Sequence, residues 1–433
     1  MNTWGINKSE IDYKLLNRIS VIMLFLFIYT PKFLFFPVNL SYVVIVLAFG
    51  YLCYGTNLGR LLVIFQHKTF LTYLIFFLSC VLYILLIPLI ADSEFDKTFL
   101  LTYIRLLLDI VLVLPVFVLV FGFDLEYCTD DFLDLLVKVG VAQAIMATLM
   151  FLVPDLKEMV FNFFIELPSE KLETQAYRGF GISNDYYFSA PLFQGLVFVL
   201  NSILFIKTSK KKYLLYYPFI LISLIINARI SILVIPIFFG VIFLLSFYYD
   251  DLKWLQKLSG LFLIFIAFLG FIGVYFLMNP EKMESLIWIV EGVMGGIGAM
   301  SGNLMESKTL SIMFREHIHL PSRWSQIWFG EGMVVFDNPH SSVRSDLGYI
   351  RYIYFGGIAL SVLAYFTLIN FSLNRIVNVK DSLFKATILT LLVTFFVVQM
   401  KGDILNSSAF LKGYLLLLIF SLFNHRTKTF DAE

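Results

Sequence analysis

Arginine, histidine and aspartate residues are concentrated in two polar segments of an otherwise apolar sequence. The first segment ends in Tyr-Arg-Gly-Phe-Gly at residues 177–181, with Arg178 as its cation. An arginine beside glycines, shortly before a helix begins, can offer a forked guanidinium and backbone N–H groups to an anion. The pattern predicts an anion site at Arg178, and an ordinary loop arginine near a lipid head group is the alternative.

A second isolated arginine, Arg229, lies in a very short polar turn at 227–231 between two apolar segments. Such a turn holds the guanidinium at the end of the helices with little freedom. It predicts either a second anion contact or an interfacial anchor for the helix pair.

The second polar segment carries the largest set of chemically capable side chains. Three arginines, Arg315, Arg323 and Arg344, suit forked recognition of phosphate or pyrophosphate oxygens. His340 or Asp346 could act as a general base. Asp346 could instead cap the following helix, and His340 could be a turn residue after a proline.

Metal chemistry finds little support in the sequence. His317 and His319 lie two residues apart, so on a helix they would not share a face. The cysteines at positions 53, 80 and 128 have no metal-ligand or disulfide spacing. We therefore expect no metal and no cofactor.

The elements that must position these residues are apolar helices. The chain has 433 residues, of which 59% are hydrophobic and 15% charged, and its mean hydropathy is +0.85. Soluble domains carry about 25% charged residues, so lipid is the expected solvent for most of this surface. Continuous rather than alternating apolar runs favour helices over a barrel. The net charge of +1 gives no indication of nucleic-acid binding.

Apolar runs of roughly 20 residues, the length that crosses a bilayer, recur along the whole chain. They predict an all-α polytopic membrane protein, a single integral membrane domain over 1–433 with about twelve spans. The first span is expected to be retained rather than cleaved. The predicted spans are 19–36, 38–54, 69–91, 99–122, 132–153, 187–206, 213–227, 230–248, 258–277, 348–372, 386–398 and 404–423.

The distribution of lysine and arginine predicts the orientation of these spans. Basic residues accumulate in alternate loops, for example at 207–212, which places both termini in the cytoplasm. Two long loops, 154–186 and 278–347, then lie on the opposite, periplasmic side. The glycine-interrupted stretch 295–302 of the second loop is expected to form a lid.

Charged residues also fall inside predicted spans, among them Arg105, Asp109 and Lys138. Arg105 and Asp109 are four residues apart and can pair on one helix face. Lys138 lies close enough to the cytoplasmic end of its span to extend to the surface. Ionisable groups at membrane depth indicate function, and a structural ion pair between helices is the alternative.

Taken together, these features resemble the bacterial O-antigen polymerase family, within the wider group of O-antigen ligases and polysaccharide polymerases. The likeness covers the whole chain in architecture and is sharper in three segments. These are the Arg-Gly segment at 177–181, the Ala-Arg-Ile-Ser turn at 228–231, and Ser-Asp-Leu-Gly-Tyr-Ile at 345–350 followed by Phe-Gly-Gly-Ile at 355–358. Ala228 departs from the serine of the family's turn.

The resemblance implies a glycosyltransferase C-like fold and a metal-independent glycosyl transfer in the bacterial inner membrane. Donor and acceptor would both be oligosaccharides linked to undecaprenyl pyrophosphate, and a chain-length regulator protein could be a further partner. Asp346 or His340 would be the base. The expected pyrophosphate or substrate contacts are Arg178, Arg229, Arg315, Arg323, Arg344 and Tyr349.

Two other functions fit parts of the sequence. An O-antigen ligase would carry a histidine ten residues before the glycine of the following helix, but counting back ten from Gly356 reaches Asp346. A lipid-linked oligosaccharide transporter or flippase should have repeat symmetry and charges around a midplane cavity. The polar residues here lie mainly in one asymmetric loop.

Overall fold

The computed structural model describes residues 10–35, 39–90, 96–164, 179, 181–183, 188–227, 229–249, 252–278, 317–335, 345–405 and 409–423. The regular elements in this part of the chain are all helices. They are α1 Glu10–Tyr29, α2 Leu40–Cys53, α3 Asn57–Gln66, α4 Lys68–Ile90, α5 Lys97–Asp124, α6 Thr129–Leu152, α7 Pro154–Phe164, α8 Ser189–Thr208, α9 Lys211–Asn227, α10 Arg229–Ile232, α11 Val234–Tyr248, α12 Leu252–Met278, α13 Trp324–Phe329, α14 Gly348–Asn378, α15 Ser382–Gln399 and α16 Ala409–Phe423.

The helices follow the apolar runs of the sequence. Each predicted span overlaps one of these helices, and an all-helical architecture is confirmed for the described residues. By length and composition, six helices in the described part of the chain can cross a membrane, or seven if α2 and α3, bent by 103° at their junction, form one broken span. These helices make the chain a multi-pass membrane protein, and a total of twelve spans stays a prediction.

The helices form a bundle with two distinct ends. One end, here called the terminal face, carries Glu10, Thr208 and Phe423, and Tyr13 there donates a hydrogen bond to the carbonyl of Leu125. The other end, the loop face, carries Tyr29, the start of α14 and the end of α15. Among the predicted site residues that the structure describes with their side chains, Arg323, Asp346 and Tyr349 lie toward this end of the bundle.

Helices α8 and α16 form the centre of the bundle. In α8, 94% of the apolar window is buried, and residues 409–422 of α16 are all buried. Close approach depends on glycine, since a Cβ at Gly140 would lie 2.1 Å from Cγ2 of Val197, and one at Gly413 would lie 2.5 Å from the ring of Phe193. Small residues let backbones approach within van der Waals contact, which drives helix association in lipid.

Helix α5 is irregular along its length. It contains π-helical turns at Asp109–Val113 and Leu119–Asp124, separated by a short α-helical stretch that includes Pro115. Pro115 has no N–H to give to the helical ladder, so the turn before it cannot keep a complete set of α-helical hydrogen bonds. Turns of this kind are often found at functional sites.

The charges at membrane depth do not pair as the sequence predicted. Asp109 faces Lys412 of α16, with 3.7 Å between carboxylate and ammonium, and both side chains are at most 2% exposed. Arg105 instead donates to the hydroxyl of Ser41 on α2 at 2.9 Å. The i,i+4 rule fails here because each side chain finds a partner on a different neighbouring helix. Lys138 pairs with Asp134 at 2.8 Å and is half-exposed, in keeping with its predicted extension to the surface.

Candidate functional site

The candidate site lies on the loop face where α14 begins. Leu347 is the N-cap residue of this helix, and its N–H donates to the hydroxyl of Ser345 at 3.3 Å. Asp346 is therefore not the helix cap, which was the structural alternative for this residue. Its carboxylate is available for another partner.

That partner is His317. Nδ1 of His317 lies 3.5 Å from Oδ1 of Asp346, and the two side chains are 26% and 41% exposed. Ser345 fixes the segment by donating its hydroxyl hydrogen to the carbonyl of His317 at 2.9 Å. A carboxylate beside an imidazole can orient it and stabilise its protonated form, which is the arrangement a general base requires.

His317 is a residue that sequence reasoning missed. It was considered only as half of a metal pair with His319, because His317 and Ser345 are 28 residues apart and the intervening chain shows no periodic pattern. Among the described residues, no group of three or more His, Cys, Asp or Glu side chains could hold a metal. The His317–Asp346 pair itself has the geometry of an imidazole oriented by a carboxylate.

A second acidic residue, Glu331, lies in the segment that packs against α14. Its N–H donates to the carbonyl of Tyr354 at 2.7 Å, and the next N–H, of Gly332, donates to Phe355 at 2.9 Å. Burial raises the pKa of Glu331 above its ordinary value of 4.5, and the nearby positive charge of Arg323 opposes that rise. Arg323 itself is exposed, so its guanidinium can meet both Glu331 and an external anion.

Two glycines allow this segment to approach α14 so closely. Gly357 interrupts α14 with φ 68° and ψ −171°, a conformation essentially restricted to glycine. A Cβ at Gly357 would lie 2.3 Å from the backbone of Trp328, and one at Gly330 would lie 2.3 Å from the carbonyl oxygen of Phe355. The Phe-Gly-Gly-Ile motif at 355–358 therefore has a packing function that the structure explains.

The glycines of the first polar segment also pack. Gly179 is buried, and a Cβ there would lie 2.3 Å from the carbonyl oxygen of Ala147 and 2.8 Å from Cδ1 of Ile226. Gly181 has φ 65° and lies against Gln143, whose side-chain oxygen accepts a hydrogen bond from Ile182 N–H at 3.0 Å. The sequence pattern predicted that the backbone N–H groups of these glycines bind an anion. The structure instead places the glycines against α6 and α9.

This packing brings the two polar segments toward the same face. Gly179 touches Ile226, close to the end of α9, where a single residue separates that helix from α10, which begins at Arg229. On the other side, Gly402 lies against the ring of Phe188, at the start of α8, and Gly348 lies against Gly402 and Gln399. The starts of α8 and α14 are thereby joined through the loop between α15 and α16.

That loop contains a further buried acid, Asp403, which is 8% exposed. Its carboxylate is near enough to Tyr103, Tyr352 and Tyr365 to interact electrostatically with each. The hydroxyls of Tyr103 and Tyr352 are hydrogen-bonded to each other at 2.7 Å. No sequence pattern predicted a functional role for Asp403, since it follows Lys401-Gly402 at a predicted boundary between two spans.

The remaining predicted site residues fall into two groups. Tyr349 donates its hydroxyl hydrogen to the carbonyl of Phe396 at 2.8 Å, so it joins α14 to α15. For Arg229 the structure describes the backbone alone. Outside the described residues lie Arg178, Arg315, His340, Arg344 and the predicted lid at 295–302, whose roles stay predictions.

The structure thus brings together one predicted residue, Asp346, with one unforeseen residue, His317, and places Arg323 beside Glu331 in the adjoining segment. Comparisons of the chain with protein-family models, with curated proteins and with solved structures find no match.

Proposed function

We propose that this protein is a metal-independent glycosyltransferase that polymerises a surface polysaccharide, as the resemblance to O-antigen polymerases implies. The observation that carries the proposal is the His317–Asp346 pair at the start of α14. It supplies a proton acceptor on the loop face of a helical membrane protein, next to a segment that carries an exposed arginine.

In the proposed reaction, the growing glycan is transferred from undecaprenyl pyrophosphate onto a new lipid-linked repeat unit. A hydroxyl oxygen of the acceptor sugar attacks the anomeric carbon of the donor and forms the new glycosidic bond. The bond from that carbon to the pyrophosphate oxygen breaks, and its electron pair leaves with the pyrophosphate. The hydroxyl proton passes to His317, with Asp346 stabilising the imidazolium.

Arginine residues would assist the departure of the pyrophosphate in this reaction. Negative charge grows on the departing pyrophosphate, and guanidinium groups match its oxygens without a metal. Arg323 is exposed in the segment next to the pair and is the described candidate for this role. We expect Arg178, Arg229, Arg315 and Arg344 to contribute from the loops, and His340 remains a second candidate base.

The proposal includes an orientation and a span count. With about twelve spans in a glycosyltransferase C-like arrangement, both termini would be cytoplasmic and the loop face periplasmic in a bacterial inner membrane. The lysines of the terminal face, such as Lys207 and Lys212, support this orientation because basic residues favour the cytoplasmic side. A chain-length regulator could bind the same assembly.

The direct test is to delete the gene and separate the surface polysaccharide on a gel. A polymerase deletion should leave lipid A-core capped with a single repeat unit and no ladder. Complementation with the wild-type gene should restore the ladder. A deletion strain with an unchanged ladder would refute the proposal, and complete loss of capped core would indicate a ligase or a flippase.

One observation favours a second function, a lipid-linked oligosaccharide transporter. The buried pair Asp109–Lys412 lies at membrane depth beside a π-helical turn of α5, and such groups often mark transport pathways. If the protein is a transporter, the double variant Asp109→Asn with Lys412→Met, which lacks this pair, should lose translocation of lipid-linked sugar in vesicles. If polymer length alone changed in cells, the transporter would be excluded.

A further inference from the structure

Short helix α13 carries an exposed aromatic patch, defined here as Leu320, Trp324, Trp328 and Phe329. Trp324 is 76% exposed and Trp328 is 50% exposed. The two tryptophans are four residues apart and so lie on the same face of the helix. Large aromatic side chains exposed together mark an interaction surface rather than ordinary protein exterior.

The depth of this patch along the bundle is fixed by its contact with α4. Tyr83 of α4 donates its hydroxyl hydrogen to the carbonyl of Phe329 at 3.3 Å. Helix α4 has 23 residues, about 34 Å at about 1.5 Å per residue, slightly more than a hydrocarbon core of about 30 Å. Tyr83 precedes the last residue, Ile90, by about 10 Å along the axis. The patch therefore lies below the loop-face end of α4.

The surfaces on either side of the patch face lipid. Helix α4 is buried over only 33% of its apolar window, and its exposed residues near Tyr83 are Leu82, Leu85 and Leu86. Helix α14, on which α13 packs through Gly357, exposes Val362 beyond the kink. The patch is thus continuous with the apolar surface of two candidate membrane spans.

We propose that the segment 318–329 re-enters the membrane and inserts the aromatic patch into the lipid leaflet on the loop-face side. Tryptophan is enriched where hydrocarbon meets head groups, because its ring is apolar and its N–H is polar. Arg323 lies at the start of α13, and its long side chain can extend to the head groups. The inference depends only on the membrane character of the chain and not on the proposed reaction.

Two reasons favour lipid, rather than water or another protein, as the medium that covers the aromatic patch. Water would leave these large apolar side chains exposed in a patch whose Phe329 end lies about 10 Å below the end of a span that needs lipid around it. The patch also continues into the leucines of α4, which a bilayer covers without any specific partner. A segment of this kind sets where the bilayer ends relative to Arg323 and Glu331.

Site-directed spin labelling of the full chain in lipid nanodiscs tests the insertion. The three native cysteines are first replaced in Cys53→Ser, Cys80→Ala and Cys128→Ser. Labels are then attached through Trp324→Cys or Trp328→Cys, with Leu82→Cys as the lipid control and Lys380→Cys as the water control. Collision rates with oxygen, which partitions into lipid, are compared with those of a water-soluble nickel chelate.

We expect both patch labels to behave like the Leu82 label, with oxygen collisions exceeding nickel collisions. Nickel-dominated collisions, as at Lys380, would overturn the proposal. So would a label shielded from both reagents, since that would mean a protein covering.

A conservative variant guards against loss of the fold on removing a tryptophan. In nanodiscs with brominated acyl chains, Trp328→Phe should lower the quenched fraction of tryptophan fluorescence. Trp254→Phe, which removes a tryptophan only 7% exposed, should raise that fraction. Equal effects of the two variants would contradict insertion of the patch.

Discussion

Charged side chains are paired more closely at the terminal face of the bundle than at the loop face. At the terminal face, Lys207 lies 2.6 Å from both Asp130 and Asp381, and these contacts tie three helices together. Asp134 there accepts from Lys212 at 2.6 Å and from the hydroxyl of Tyr213 at 2.9 Å. At the loop face, by contrast, His317 lies 3.5 Å from Asp346, a longer separation than in any of these terminal-face contacts.

The difference separates groups that hold the fold from groups that can receive a ligand. Short, partly buried ion pairs leave little capacity for a substrate, because removing a partner exposes an uncompensated charge. The His317–Asp346 pair is longer, and both of its side chains are partly exposed to an incoming ligand. A half-buried carboxyl with a raised pKa, such as that of Glu331, is typical of functional sites.

The largest effect should follow from the loop-face pair. Asp346→Asn keeps the shape of the side chain but removes the carboxylate charge 3.5 Å from Nδ1 of His317. We expect polymer formation to fall by about 100-fold or more, within the range for a general base. The measurement is the rate of polymerisation by purified protein in vesicles.

The matched control is Asp155→Asn, which changes an exposed aspartate of α7 on the same face. It should retain wild-type activity. Normal activity in Asp346→Asn would place the base elsewhere, with His340 as the next candidate.

At the terminal face, we expect a substitution to lower the stability of the protein rather than its activity. Lys207→Met leaves Asp130, which is 7% exposed, without its cation, and should lower the free energy of unfolding by about 3 kcal/mol. The midpoint of thermal unfolding in detergent micelles reports the loss. Lys211→Met, at an exposed neighbouring lysine, should change it little.

Adding Asp130→Asn to Lys207→Met should restore part of the stability, because the buried charge is then removed with its partner. If Lys207→Met abolished activity in protein that stayed folded, the distinction between the two faces would fail.

Replacing a glycine at the loop face should lower the free energy of unfolding by a somewhat smaller amount. Gly357→Ala forces an L side chain into a conformation reserved for glycine and against the backbone of Trp328. We expect about 2 kcal/mol of destabilisation, measured as a fall in thermal midpoint. Gly260→Ala, where a Cβ meets nothing within 4 Å, should be neutral or slightly stabilising. Equal midpoints for the two variants would disprove the tight approach of α13 to α14.

The smallest effect concerns Glu331 and has a defined pH dependence. Because burial raises its pKa above 4.5, the folded protein holds this proton to higher pH than the unfolded chain does. Stability from this group is therefore present at low pH and lost as pH rises through the raised pKa. Glu331→Gln lacks that loss, so its thermal midpoint should exceed that of wild type at neutral pH and match it well below pH 4.5. A pH-independent difference would contradict the assignment.

Most of the helices could be predicted from the sequence, because an apolar run of membrane length has few alternatives. The residues at which the helices begin and end could not be predicted in this way. Helix α1 begins at Glu10 and α12 at Leu252, each before its apolar run, since polar turns extend a helix beyond the hydrocarbon without any change in periodicity. The π-helical turns of α5 also have no signal in hydropathy.

The site was predictable only where its residues are close in sequence. Asp346 was identified from its motif, whereas His317 meets it through the folding of a loop whose course the pattern does not specify. The same limit explains the error at Asp109, which was assigned to Arg105 on its own helix and pairs with Lys412 on another. Contacts between distant segments depend on tertiary packing, which local spacing does not encode.

Lys412 has a consequence for how the protein is made. Helix α16 carries Lys412 as its fourth residue, with a side chain only 1% exposed. A lysine that enters lipid alone costs up to about 2.5–3.5 kcal/mol at the centre of a helix, and less toward a helix end. Its carboxylate partner, Asp109, is synthesised much earlier, in α5. We therefore expect α16 to pass from the insertion machinery directly against α5, and α16 of a chain with Asp109→Leu to be released poorly into the bilayer.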